Sequence, residues 1–234
     1  MEKPRVLAII PARSGSKGLE NKNIKELNGT TLIGHAIEFA KLCPNIEEII
    51  ISTDSLEYEK IALHHGAKSL GLRPPHLSKD DAKTIDVILD ILSRLETKHE
   101  FVLLLQPTSP IRRVFDVATI YSNINSGKYD AGVTISRIED PHPHKMKRIT
   151  NESQLLPFIK DSSSETPRQL LPECYSLTGG IYMVKIESLL RFKTLVPLRT
   201  YGHKTEYPSV NVDTLMDYKF LQFLVESEKV LIYD

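Results

Sequence analysis

Apolar and polar positions fall along this chain in alternating blocks. Val6-Leu7-Ala8-Ile9-Ile10 is a continuous apolar run, the pattern of a parallel strand buried on both faces. It empties into Pro11-Ala12-Arg13-Ser14-Gly15-Ser16-Lys17-Gly18 and on to Asn21-Lys22-Asn23. Asn28-Gly29 then marks a turn, and Leu32, Ala36, Ile37 and Ala40 share one helical face that must end before Pro44. Ile49-Ile50-Ile51 predicts a second strand, and Ser52-Thr53-Asp54-Ser55 leads into a helix stopped by Gly66. A short strand is expected within 67–72. Ile85, Ile88, Leu89, Leu92 and Leu95 recur at helical spacing and read as a core-facing stripe. A buried-type strand over 101–105, a helix over 114–125 and a strand over 132–135 follow. This regular alternation predicts βαβ units around a mainly parallel sheet flanked by helices, an α/β fold.

The periodicity lapses over 137–177, a stretch with Pro141-His142-Pro143-His144, a Ser162-Ser163-Ser164 run and scattered basic residues. So long an irregular segment suits a protruding functional or interaction lobe. His142 and His144 lack a third ligand at a recognisable spacing, and a proline-rich turn is the better reading than a metal site. Order returns with a strand entered through Gly179 and Gly180. A strand-like Val210-Asn211-Val212-Asp213 leads into a helix carrying Leu215, Tyr218, Leu221 and Leu224. Thr214 and Asp217 are spaced as a capping box, and a last short strand is expected over 230–233.

Composition narrows the class. The 234 residues are 41% hydrophobic, enough for a real core. Lys plus Arg and Asp plus Glu balance at 30 each, so no global charge attracts nucleic acid or a membrane, and any basic site is local. The two cysteines, Cys43 and Cys174, have no metal-ligand spacing and read as thiols in a reducing compartment. Without a signal-peptide pattern or a bilayer-length apolar run, a soluble cytoplasmic protein is expected.

The candidate chemistry begins at the loop after the first strand, since ligands of open α/β sheets sit at the carboxyl ends of the strands. Small residues let its backbone approach a polyanion, and Arg13, Lys17 and Lys22 add charge. It is neither a Walker A loop nor Gly-x-Gly-x-x-Gly, having only Gly15 and Gly18. Such a cluster of cations suits a triphosphate whose pyrophosphate departs. Asp54 has two readings, a ribose contact and a helix N-cap, of which the cap is preferred. Arg73-Pro74-Pro75 is a stiff presenting loop, and Gln106-Pro107-Thr108-Ser109-Pro110 is a second. Asn211 and Asp213 share one face of an extended segment. They suit a hard cation such as Mg²⁺, and equally Asp213 suits a helix start.

Taken together and in order, these segments resemble the acylneuraminate cytidylyltransferases, the CMP-sialic acid and CMP-nonulosonate synthetase family, over nearly the whole chain. The resemblance rests on 10–18 with Lys22-Asn23, on Arg73-Pro74 with Leu77 and Asp80, and on 104–110 with Arg112. It continues through Pro167-Arg168-Gln169 with Pro172, through 179–182, and through Val212-Asp213-Thr214. It implies one cytidylyltransferase domain over 1–234, with a Rossmann-like nucleotidyltransferase fold and 137–177 as an inserted dimerisation lobe. It implies transfer of CMP from CTP, with Mg²⁺, to the anomeric hydroxyl of a nine-carbon 2-keto sugar acid, with release of pyrophosphate. Arg13, Ser16, Lys17, Lys22 and Asn23 would hold the triphosphate, and Arg73 and Thr84 the cytosine. Gln106 and Tyr182 would line the sugar pocket. Asp213, with Asn211, would carry metal. Lys145 and Arg168 would reach the sugar carboxylate in a neighbouring subunit of a homodimer. Arg13, Lys17, Lys22 and Asp213 would carry the catalytic charge.

Two departures bear on substrate and metal. Asn211 stands where the family commonly has a second aspartate. Ser176-Leu177-Thr178-Gly179 stands where sialic-acid-specific members have Arg-Pro-Asn-Gly, which extends the expected acceptors to legionaminic- and pseudaminic-type acids. The alternatives are a nucleotidyltransferase acting on a sugar 1-phosphate and a non-catalytic nucleotide-binding module.

Overall fold

The structure, a computed structural model, describes residues 5–96, 98–227 and 232–233. Its centre is β1 (Val6–Pro11), whose apolar side chains are sealed on both faces. The tight hairpin of β2 (Glu26–Leu27) and β3 (Thr30–Thr31) follows. Asn28 and Gly29 both take positive φ there, as a two-residue turn requires. The next elements are α1 (Leu32–Leu42), β4 (Ile46–Ser52), α2 (Leu56–His64), β5 (Lys68–Ser69) and α3 (Thr84–Arg94). Then come β6 (Phe101–Leu104), α4 (Val114–Asn125), β7 (Ala131–Arg137), and the hairpin of β8 (Lys147–Ile149) and β9 (Leu155–Pro157). The chain continues as β10 (Tyr175–Lys185), α5 (Ile186–Phe192), β11 (Thr200–Lys204) and α6 (Leu215–Glu226).

Seven strands form one sheet in the order β11-β7-β10-β6-β1-β4-β5. Only β10 runs against its neighbours; the pairings of β1 with β4 and β6, of β4 with β5 and of β7 with β11 are parallel. The pleat of β1 divides the core. Val6, Ala8 and Ile10 face α1, α2 and α4, while Leu7 and Ile9 face α3 and α5. On α3, Val87, Ile88, Ile91 and Leu92 fill that second layer, each worth about 1.5–3 kcal/mol of burial. Helix α1 starts on its Thr31 cap, whose hydroxyl accepts from the Gly34 amide at 3.0 Å. It ends at Cys43, which precedes Pro44 and is extended. The α6 capping box of Thr214 and Asp217 is present, and no helix among the described residues is long and apolar enough to cross a membrane.

The structure corrects five sequence expectations. Asp54 is not the cap of α2; Ser55 is, accepting from Tyr58 N. Strand β10 begins at Tyr175 rather than at the glycines, because 175–177 pair with the end of β7. The segment 210–213 forms no strand; the Val212 amide donates to Thr108 in the loop after β6 rather than to a ladder. On α6, Leu215 is exposed and Leu221 and Leu224 are buried. The expected irregular lobe narrows to the stretch between β7 and β10, and β8 and β9 form a sheet of their own within it. Of the strand expected over 230–233, Val230 and Leu231 lie outside the described residues; Tyr233 bridges to Arg112.

Candidate active site

The loop after β1 is held from below by backbone and acid. The Ala12 amide donates to the Ser52 carbonyl at 2.9 Å, tying the loop to the end of β4. Asp54 accepts from the Ser14 amide at 2.7 Å and from its hydroxyl at 3.0 Å. Its carboxylate thus anchors the loop instead of capping a helix or waiting for a ribose. Asn23, buried, donates Nδ2 to the Arg13 carbonyl at 3.0 Å and closes the far side of the turn. With the backbone so held, Arg13 is part-buried and Lys17 projects into solvent.

The other end of the chain completes the loop. Lys22 Nζ lies 2.7 Å from Asp213 Oδ1. Gly18 packs so closely that a Cβ there would sit 2.5 Å from the Asp213 carbonyl oxygen, so only glycine fits. Asp213 Oδ2 accepts from Asn211 Nδ2 at 2.9 Å, and Asn211 Oδ1 accepts from the Ser109 hydroxyl at 3.2 Å. The Val212 amide donates to the Thr108 carbonyl at 2.8 Å, docking this segment on the loop after β6.

Between these parts lies a cavity of about 180 Å³. Arg13, Ser16, Lys22 and Asn23 line it from the first loop, Arg73 and Thr84 from the proline loop and the start of α3, and Gln106 from the loop after β6. Seven of the site residues expected from sequence therefore share one hollow at the carboxyl ends of β1, β4 and β6. Larger hollows of about 470 and 570 Å³ lie at the opposite end of β6 and on the β8–β9 hairpin, and neither gathers these cations.

Arg73 is buried. It donates Nε to Ser52 Oγ at 3.0 Å and Nη2 to the Ser52 carbonyl at 2.5 Å. Burial lowers its pKa to about 10, so it stays charged at neutral pH and its head is fixed at the base of the cavity.

Asp80, a marker of the proline-loop motif, joins the site through its carboxylate. It sits 2.8 Å from Arg13 Nη2 and 2.5 Å from Lys17 Nζ. One carboxylate thus holds both outward cations of the loop. The Lys17 hydrogen bond, above all, holds the Asp80 carboxyl below its ordinary range. No local pattern announces this contact, because Asp80 is more than sixty positions from its partners.

The remaining expected residues lie elsewhere. Tyr182 is half-buried on β10 and packs with the α3 layer, where burial raises its pKa. Lys145 is exposed in a 3₁₀ turn of the lobe. Arg168 pairs with Glu139 at 3.0 Å beside a separate hollow of about 270 Å³. Within one chain neither Lys145 nor Arg168 reaches the cavity. His142 accepts from the His144 amide at Nδ1 and donates Nε2 to the Pro172 carbonyl, which fits a turn and not a metal ligand.

A family model described as cytidylyltransferase matches residues 7–219. An N-acylneuraminate cytidylyltransferase of Streptococcus agalactiae serotype V is 35% identical over 91% of this chain and 51% of its own. The chain thus spans about half the length of that relative. A CMP-N,N'-diacetyllegionaminic acid synthase of Legionella pneumophila is 30% identical over 95% of this chain and 97% of its own. Among solved structures, a CMP:2-keto-3-deoxy-manno-octonic acid synthetase complexed with CTP matches with a TM-score of 0.69. It is 19% identical and covers 96% of this chain and 99% of that one, a likeness of fold.

Proposed function

The chain belongs to the cytidylyltransferase family, and from that premise we propose that it transfers CMP from CTP to the anomeric hydroxyl of a nine-carbon 2-keto sugar acid, releasing pyrophosphate. The observation that carries this is the single hollow shared by Arg13, Lys22, Arg73 and Gln106, with Lys17 and Asp213 ion-paired at its rim. Relatives whose names specify sialic, legionaminic and pseudaminic acids support the acceptor class.

In this reading the triphosphate displaces Asp80 and takes over Arg13 and Lys17. The acceptor oxygen attacks the α-phosphorus, the bond to the bridging oxygen breaks, and pyrophosphate leaves in line. Such transfers depend on positioning and on charge stabilisation, which Arg13, Lys17 and Lys22 supply to the leaving group. Gln106 orients a water that carries the hydroxyl proton away. The donor set fits one Mg²⁺ once Lys22 turns from Asp213 Oδ1 to the phosphates: Asp213 is then an exposed hard carboxylate beside the loop, and Mg²⁺ takes one or two carboxylates with phosphate oxygens and water. Bound there, the metal would neutralise charge on the phosphates. Asn211, expected as a second ligand, turns its amide N–H to Asp213 and its oxygen to the Ser109 hydroxyl, so it would serve the ion by steering the Asp213 carboxylate. Lys145 and Arg168 serve a second subunit of a homodimer through the lobe.

The test is pyrophosphate release from CTP and Mg²⁺ with N-acetylneuraminate, N,N'-diacetyllegionaminate and pseudaminate as separate acceptors. Release with one or more is expected. Turnover with a sugar 1-phosphate and another nucleotide in its place would favour the alternative transferase.

A further inference from the structure

We propose that Arg112 is a positioning residue that holds β6 and β10 apart at their site end and so builds the corner of the cavity that receives the sugar acid. The proposal rests on the functional reading above for the identity of that ligand.

Strands β6 and β10 pair from Phe101 with Lys185 to Leu104 with Tyr182. Continued in the same register, the ladder would set Leu105 opposite Ile181 and then Gln106 opposite Gly180. It does not continue. The Arg112 guanidinium stands between those two residues, donating Nη2 to the Gln106 carbonyl at 2.5 Å and Nε to the Gly180 carbonyl at 2.8 Å. Both carbonyls therefore point inward to the arginine. The bonds hold the backbone that carries the Gln106 side chain, itself part of the cavity wall. Gly179, beside this pair, takes φ +77°, and a Cβ on it would sit 2.9 Å from Gln106 Oε1 and 2.6 Å from Ser109 Oγ. The opening is thus built from a forced gap, a glycine and one charged strut.

The strut is unusual in what surrounds it. Arg112 is 1% exposed, and none of the ion pairs found among the described residues joins it to a carboxylate. Its Nη1 is buried without a hydrogen-bond partner among the described residues. The guanidinium lies 5.6 Å from the Phe39 ring centroid, a cation–π distance. Its own amide donates to the Ile232 carbonyl at 2.9 Å. A buried charge without an acid is costly and commonly replaceable by an apolar side chain when only stability is at stake. Its place at the ladder's end, bridging the Gln106 and Gly180 carbonyls, points to a geometric purpose.

Arg112→Met fills the same space without donors, and Arg112→Lys keeps the charge with reach for one carbonyl. Wild type and both variants are compared for CTP affinity by ligand-dependent melting, for pyrophosphate release with the three sugar acids, and for amide exchange. Arg112→Met is expected to bind CTP within about twofold of wild type while kcat falls on the order of 10²-fold, the scale of a misplaced reacting group. Arg112→Lys is expected to recover part of kcat. Exchange should quicken over 106–111 and 178–182 and stay unchanged in α2. If Arg112→Met does not fold, Arg112→Gln, with one amide donor, replaces it. Unchanged kcat, or equal losses of CTP affinity and kcat with uniformly faster exchange, would overturn the proposal. Should wild type release no pyrophosphate with any acid, the functional reading fails. The exchange arm then decides on Arg112 alone, local quickening supporting the strut and uniform or absent quickening rejecting it.

Discussion

The phosphate loop and the lobe are both rich in basic residues, yet they are built in opposite ways. In the loop every cation has a partner drawn from distant sequence: Arg13 and Lys17 from Asp80, Lys22 from Asp213. The loop backbone is pinned to the end of β4 and to Asp54, and Arg13 and Lys22 line one hollow while Lys17 stays exposed. In the lobe, Lys145 is exposed and Arg168 is held by Glu139 well away from that hollow. The hairpin there leaves Ile149, Leu155 and Phe158 each about two-thirds exposed. One region gathers its charges on a single hollow within the chain, and the other leaves them apart on an exposed surface.

Breaking the loop should therefore cost most. Lys17→Ala is expected to lower pyrophosphate release on the order of 10²–10³-fold, the range for losing one preorganised charge donor, with the melting temperature unchanged because the side chain is 82% exposed. Gly18→Ala should lower kcat about 10²-fold by pushing the loop off the Asp213 carbonyl, and steady-state kinetics would register it. Asp80→Asn should act in the opposite sense on binding: with the internal counter-ion gone, CTP measured without acceptor should bind a few-fold more tightly, and less so at high salt. In the lobe, Arg168→Ala should leave CTP affinity within about twofold while acceptor use falls. The smallest effect contrasts the two thiols. Cys43 is buried and its thiol pKa is pushed up to about 12 by burial. It should resist a thiol reagent at pH 8 until unfolding, while Cys174, half-exposed in the lobe, should react in the native protein.

The same contrast explains what the sequence revealed. The central sheet was legible because 6–10, 49–51 and 101–105 are apolar without interruption, and only burial on both faces accommodates that. The loop was legible because its cations follow such a strand directly. The start of β10 was not, since Tyr175-Ser176-Leu177-Thr178 is half polar and becomes strand only because β7 offers a ladder. Segment 210–213 alternates like a strand and does bury Val210 and Val212, but the Val212 amide bonds to the loop after β6 and not to a strand. Asp54 read as a cap because caps are common before helices, and its bond to Ser14 spans forty positions. Asp80 and Arg112 stood in the motifs without roles, for their partners become neighbours only when the sheet assembles.

The most direct test is nucleotide-resolved pyrophosphate release by the full chain with Mg²⁺ and the three sugar acids, wild type beside Lys17→Ala. Release is expected with CTP and at least one acid, with little from ATP, GTP or UTP and near-complete loss in the variant. Release that is indifferent to Lys17, or none from CTP with any of the acids, would contradict the proposed CMP transfer.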